Sequence, residues 1–180
     1  MPDSYHLGQR VAVIGAGNVA MDAARTAIRK GHGQVSVIFN RDKESMTGNK
    51  HEIEMAKIDG VQFLYQLETI KIEDEGVICV HVDVEEDQNG KKIFTEDFSK
   101  PRKIRADSVI LAIGQGPNAD VLLGHSSLSK TDWGLIHADE KGATSRAGVF
   151  AAGDVVAGPG TVAQAVAMAK RAAIGIEEYC

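Results

Sequence analysis

Cysteine is scarce in this chain, with two among 180 residues, Cys79 and Cys180. They form no Cys-x-x-Cys pair, so neither an iron–sulfur cluster nor a thiolate zinc site can be built from them. The expected setting is reducing and cytoplasmic. Proline is also rare, with four residues, and none falls inside an element that the hydrophobic pattern suggests. Basic charge is not in excess. The formal net charge of -5 argues against nucleic acid as a partner, because binding a phosphate backbone needs a concentrated basic face. No run approaches the roughly 18 consecutive apolar residues that span a membrane. The first nine residues carry Asp3, Tyr5 and His6 and no apolar core, so no signal peptide is read there. Signatures of several site types are missing. His51-Glu52 lacks the second histidine of a zinc-protease helix. Asp83, Glu85, Glu86 and Asp87 lack the alternating acids and central glycine of a calcium loop, and read as a wet strand face. There is no Gly-x-Ser-x-Gly elbow, and no lysine stands four residues after Tyr65. No metal site is expected.

What is present is concentrated in Val11 to Ala20, Val-Ala-Val-Ile-Gly-Ala-Gly-Asn-Val-Ala. A short apolar run ends in Gly15, with Gly17 two residues later and Ala20 three after that, followed by a helix-compatible stretch. This is the strand, glycine turn and helix that open a dinucleotide-binding fold. Gly15 permits the tight turn. Gly17 lets the backbone approach a pyrophosphate, and Ala20 lets the helix lie close to the strand. The N–H groups of the first turn, at Asn18, Val19 and Ala20, then face the phosphates with the positive end of the helix dipole.

Composition is ordinary for a globular protein, at 43% hydrophobic and 25% charged. Residues 10–14 read as a strand buried on both faces, 18–30 as a helix that Gly31 closes, and 35–39 as a second strand. A second helix is expected over 49–59 and a third strand over 61–65. The pattern then switches to alternation over 67–74 and 77–85, the mark of antiparallel strands with one wet face. Asn89-Gly90 is a hairpin turn, and 91–103 completes the meander. Residues 106–113 return to a continuous apolar run, expected as another buried strand. The chain breaks at Gly114-Gln115-Gly116-Pro117-Asn118. Short strands are expected over 135–137 and 149–152, and a long helix from Thr161 to about Tyr179. Val162, Val166, Ala167 and Ile174 on that helix would form an apolar patch that invites self-association.

Three segments reinforce the glycine turn: Asn18 to Arg25, Asp107 to Gly116, and Gly148-Val-Phe-Ala-Ala-Gly-Asp154 followed by Gly160-Thr-Val-Ala-Gln-Ala. In this order and spacing the chain resembles the small (beta) subunits of NADPH-dependent glutamate synthase, members of the two-dinucleotide-binding flavoprotein group. The resemblance covers almost the whole chain. It implies an α/β fold: a Rossmann-like parallel sheet with an antiparallel β-meander insertion, plus a partial C-terminal segment of an FAD-binding domain. Residues 1–113 would be the NAD(P)-binding domain, with the meander at about 67–104, and residues 114–180 the C-terminal portion of the FAD-binding domain. It also implies hydride transfer from NADPH to FAD, with electrons passing on to a partner subunit. The group's upstream FAD fingerprint and its cysteine-rich region have no counterpart here, so the chain is expected to be a fragment whose FAD site is incomplete. Its expected partners are NADPH, the remainder of the FAD domain or a partner subunit, and a second copy of itself.

Further site residues follow. About 20 residues past the fingerprint, NAD enzymes place an acid on the ribose 2′-hydroxyl and NADP enzymes a cation for the 2′-phosphate. Here Asn40 takes the acid's place and Arg41 follows, which favours NADPH, since a guanidinium forks onto a phosphate. Only half of the group's arginine pair is present, and Asp42 opposes the preference. Alternatively, Arg41 and Lys43 are solvated loop charges. Gly114 and Gln115 resemble the crossover near the nicotinamide, or are a plain loop. Gly153 and Asp154 resemble the flavin-contacting turn, where the aspartate meets the ribityl chain. The helix that starts at Thr161 and Val162 would aim its N–H groups at the flavin's N1–C2 edge, with Gly158, Pro159 and Gly160 leaving room for the ring. No catalytic side chain is expected, because hydride transfer needs two positioned rings. Two other readings fit the same residues: a non-catalytic dinucleotide-binding or assembly module, and a complete small dehydrogenase.

Overall fold

In the computed structural model, which describes residues 6–116 and 128–180, the apolar run ahead of Gly15 is strand β1 (Arg10–Ile14). Helix α1 (Asn18–Arg29) follows and buries Ala20, Met21, Ala24 and Ala27, a stripe at helical spacing. Gly31 N–H donates to the Ile28 carbonyl and closes it (2.9 Å). Strand β2 (Gln34–Ile38), helix α2 (Lys50–Ile58), strand β3 (Gln62–Leu64), the meander β4 (Leu67–Glu73), β5 (Gly76–Glu86) and β6 (Lys92–Arg105), and strand β7 (Ser108–Leu111) complete the first unit. Asn49 caps α2, its side chain accepting from His51 N–H. Later come a short helix α3 (Asp154–Ala157) and a long helix α4 (Val162–Tyr179). The chain packs as two units, Met1–Gly114 and Gln115–Cys180.

In the first unit a parallel sheet of order β3-β2-β1-β7 stands beside an antiparallel sheet of order β4-β5-β6. Register is set residue by residue, with Val11 opposite Val35 on one side and Ser108 on the other. The period of two on β1 divides the core. Val11 and Val13 pack with Ala20, Met21, Ala24 and Ile53 from the helices, whereas Ala12 packs with Ile38, Leu67, Val77 and Cys79 from the meander side. Both faces of β1 are therefore covered, and each buried valine contributes about 1.5–3 kcal/mol relative to exposure.

Three expectations need correction. Residues 106–113 do not form a buried strand: among the described residues β7 pairs with β1 alone and is an edge, leaving Leu111 59% and Ile113 70% exposed. The strands expected over 135–137 and 149–152 reduce to isolated bridges, Lys130 to Ile136 and Ala143 to Phe150, because no continuous partner strand lies beside them among the described residues. Proline does enter a strand. Pro101 sits in β6, an edge strand, where pairing with β5 slips between Cys79 and His81; edges and irregularities spare a residue the ladder bond that proline cannot donate. The strand expected over 91–103 is present as β6 (Lys92–Arg105). The Pro117-Asn118 part of the chain break, and Asp3 and Tyr5 of the polar lead-in, lie outside the described residues.

Candidate functional site

The turn from β1 into α1 contains two glycines under different constraints. Gly15 has φ 128°, and a Cβ there would lie 2.2 Å from the Ala112 carbonyl oxygen, so the fold itself demands glycine where β1 runs beside the exit of β7. Its N–H donates to the Ile38 carbonyl at 3.0 Å. Gly17 has an extended backbone with φ -85°, and a Cβ there would meet nothing closer than Thr47 Oγ1 at 3.8 Å. Packing does not require glycine at 17; the space is left to whatever enters the groove.

That groove has a volume of about 420 Å³ and lies at the carboxyl ends of β1 and β2. Such a crevice is where open α/β sheets bind ligands. It brings together Gly15, Gly17, Asn18, Val19, Asn40 and Gly114, adding Thr47, Glu68 and Thr69. Gly17 is the N-cap of α1 and supplies no side-chain cap, so the first-turn N–H groups and the positive end of the dipole remain available to an anion. Asn18 does not reach forward: its Oδ1 accepts from Asn49 N–H at 2.7 Å, fixing the start of α1 to the start of α2. Ala20 is fully buried behind the turn and acts through packing.

At the exit of β2, Asn40 Nδ2 donates to Glu68 Oε2 at 2.7 Å. Arg41 does not line the groove; its guanidinium lies over the Phe94 ring, 5.1 Å from the centroid. Asp42 is bound to Lys92, and its side chain accepts from Ser45 N–H at 3.0 Å. The Lys92 ammonium, then the Ser45 bond, hold its carboxyl below the usual range, and the Asp42 carboxylate in turn pushes the Lys92 ammonium up. The charge expected to oppose a phosphate is thus already neutralised. Tyr65 stands outside the groove and stacks on Phe63 at 5.9 Å. Its enclosed hydroxyl has no hydrogen-bond partner among the described residues, and burial raises its pKa.

In the second unit, Gly153 and Asp154 line a concavity of about 340 Å³ together with Gly158, Pro159, Gly160 and Gln164. Gln115 belongs to this unit and lines neither cavity. Thr161 and Val162 flank the concavity without lining it. Thr161 and Gln164 form a capping box: Gln164 N–H donates to Thr161 Oγ1, and Thr161 N–H donates to Gln164 Oε1 at 2.8 Å. The box satisfies the N–H of Gln164, so the N–H groups left to a ligand are those of Val162 and Ala163. Its Thr-x-x-Gln spacing was readable in the chain. Glu68, Lys92 and Phe94 were not, since alternating meander residues give no hint of which groove they meet.

The sequence profile of the pyridine nucleotide-disulphide oxidoreductase family matches residues 2–169. The chain is 34% identical over 181 residues to the glutamate synthase (NADPH) small chain of Halomonas elongata, covering 96% of this chain and 38% of that one. It is 36% identical over 183 residues to the NADP(+)-dependent formate dehydrogenase subunit beta of Moorella thermoacetica, covering 96% of this chain and 25% of the relative. The chain therefore spans well under half the length of these relatives. Among solved structures it resembles thioredoxin reductase of T. acidophilum, with a TM-score of 0.72 and 23% identity over 94% of this chain and 52% of that one. It also resembles FprA of Mycobacterium tuberculosis in complex with NADPH, with a TM-score of 0.73 and 16% identity over 96% of this chain and 52% of that one. These two likenesses concern the fold.

Proposed function

The chain belongs to the pyridine nucleotide-disulphide oxidoreductase family, and from that premise we propose that it is the NADPH-binding part of a flavin-dependent oxidoreductase that passes hydride from NADPH to FAD. The observation that carries this reading is Gly17, a glycine that the fold does not need at the mouth of a groove beside uncapped helix N–H groups. Such a position suits the close approach of a pyrophosphate. When bound, the nicotinamide supplies the hydride and the flavin accepts it. The chain's own residues bind and orient. The first turn of α1 would hold the phosphates, Gly114 would leave the far end of the groove open, and Arg41, now over Phe94, would be the cation for a 2′-phosphate. Lys92 keeps Asp42 from opposing that phosphate. The name of the Halomonas relative, an NADPH enzyme's small chain, supports the choice of cofactor.

In the second unit, Gly153, Asp154 and the N–H groups at the start of α4 are read as part of an FAD site. Here the structure supports half a cradle: a concavity of about 340 Å³ with one acid at its edge. The isolated chain is expected to bind NADPH weakly and to hold little flavin, and the remainder of the FAD domain or a partner subunit would complete the site. A second reading is a non-catalytic assembly module. The exposed Val162, Val166 and Ile174 on α4 favour it, and a second copy would be one way to cover them. Sedimentation with and without a chain carrying the missing FAD half, followed by a flavin assay, separates the two.

Calorimetric titration of the chain and of Gly17→Val with NADPH and NADH tests the first reading. Gly17→Val should stay folded, losing about 1 kcal/mol because valine is a poor N-cap, while nucleotide affinity falls at least tenfold. Unchanged affinity in the folded variant would show that the groove has been misassigned.

A further inference from the structure

The groove contains an acid that does not come from the strand end where dinucleotide folds usually keep it. Glu68 belongs to β4, the first strand of the meander, and lines the groove beside Asn40. The backbone places it there: Leu67 N–H donates to the Phe39 carbonyl at 3.1 Å, so the residues that follow Phe39 and Leu67 lie side by side. Asn40 Nδ2 then donates to Glu68 Oε2 at 2.7 Å and fixes that carboxylate. An ionised carboxylate has about four acceptor positions, so this bond leaves most of its capacity free among the described residues. Residue 40 sits where an acid would read a ribose 2′-hydroxyl. Here the residue at that place is an amide, and the acid is the group the amide holds.

We propose that Glu68, held by Asn40, determines specificity at the ribose 2′ position: it accepts a hydrogen bond from the 2′-hydroxyl of an unphosphorylated dinucleotide and repels a 2′-phosphate. Arg41 acts in the opposite sense. It rests over Phe94 outside the groove lining, and a phosphate must draw it in. Two opposed groups, an acid already in the groove and a cation beside it, produce a site that accepts NADH as well as NADPH with a narrow margin between them. Glu68 is a binding residue and Asn40 a positioning residue. The inference rests on the nucleotide-binding reading of the groove.

The test is titration of the full chain, of Glu68→Gln and of Asn40→Ala with NADPH and NADH, with thermal melts as the folding control. Glu68→Gln keeps the shape and removes the charge. It should weaken NADH and strengthen NADPH, so that the ratio of their dissociation constants shifts about tenfold toward NADPH. Asn40→Ala, which frees the carboxylate without removing it, should shift the ratio in the same direction by less. A ratio within twofold of the parent in a folded Glu68→Gln protein overturns the proposal, and a changed melting temperature with an unchanged ratio reduces Glu68 to a strut between β2 and β4. Binding that Gly17→Val abolishes while Glu68→Gln leaves the ratio alone defeats only the role of Glu68. Binding that Gly17→Val leaves intact defeats the groove itself, and this proposal falls with it.

Discussion

In the first unit Val11, Val13, Val35 and Val37 are buried on a sheet covered on both faces. In the second, Val162, Val166 and Ile174 of α4 are 81%, 47% and 53% exposed, and the core cluster among the described residues is Ile136 with Leu128, Ala151 and Val155 against it. The same apolar residue types thus do different things. A strand flanked by strands and covered on both faces satisfies its pattern within about a hundred residues. A helix with an apolar stripe has no such means of its own and depends on a surface from elsewhere. Nucleotide binding is proposed for the self-sufficient unit, and the contribution to a flavin site for the one that is not.

Substitutions can break this contrast. The largest effect is expected at Gly15→Ala, whose Cβ would collide with the Ala112 carbonyl at a positive φ. It should cost at least about 3 kcal/mol in chemical denaturation of the first unit, and a loss below about 1 kcal/mol would mean that β1 and β7 separate easily. Next, Val37→Ala should cost about 2 kcal/mol through its cavity, whereas Ile174→Ala should change stability by less than about 0.5 kcal/mol. Equal costs would show that α4 is covered in solution, for instance by a second copy.

The cysteines sharpen the same comparison. Cys180 is exposed and Cys79 buried. Burial, offset in part by the Thr69 hydroxyl, raises the Cys79 thiol above its ordinary range. A thiol reagent should therefore label one cysteine at once and the second only as the first unit opens. Two fast thiols would contradict a closed core around β5.

The smallest effect concerns pH. The Asp42 carboxyl is held down by Lys92 and Ser45. A depressed native pKa contributes stability that is complete above the unfolded value of about 3.9 and is lost only as pH falls through the native value. The tie between the β2 exit and β6 should therefore be intact from pH 8 to about 5, and nucleotide affinity of Lys92→Met relative to the parent should be constant over that interval. A relative affinity that drifts between pH 8 and 5 would show that another group titrates at the site.

Much of the first unit was legible in the chain. The continuous apolar run at Val11, the spacing of the glycines at 15 and 17, and the helix-compatible stretch that follows each report a local rule, of a strand covered on both faces, of a tight turn or of a helix start. The switch to alternation at Leu67 likewise announced the meander. What could not be read has one cause in common: it depends on residues far apart in sequence. That β7 is an edge among the described residues follows from which strands the register brings beside it. That Pro101 is tolerated follows from where β5 and β6 slip. That Asp42 is neutralised follows from Lys92, fifty residues later.

By itself the sequence determined where most strands, turns and helices of the first unit begin, and that one glycine turn has the spacing expected of a phosphate cradle, because those depend on neighbours within about a helical turn or two along the chain. The tertiary structure alone decided that Gly15 is required by packing and Gly17 is not, that Glu68 shares a groove with Asn40, and that Arg41 rests on Phe94. Each of these is a meeting of side chains or backbone brought together by sheet register and by the stacking of two sheets, and no local pattern encodes such a distance.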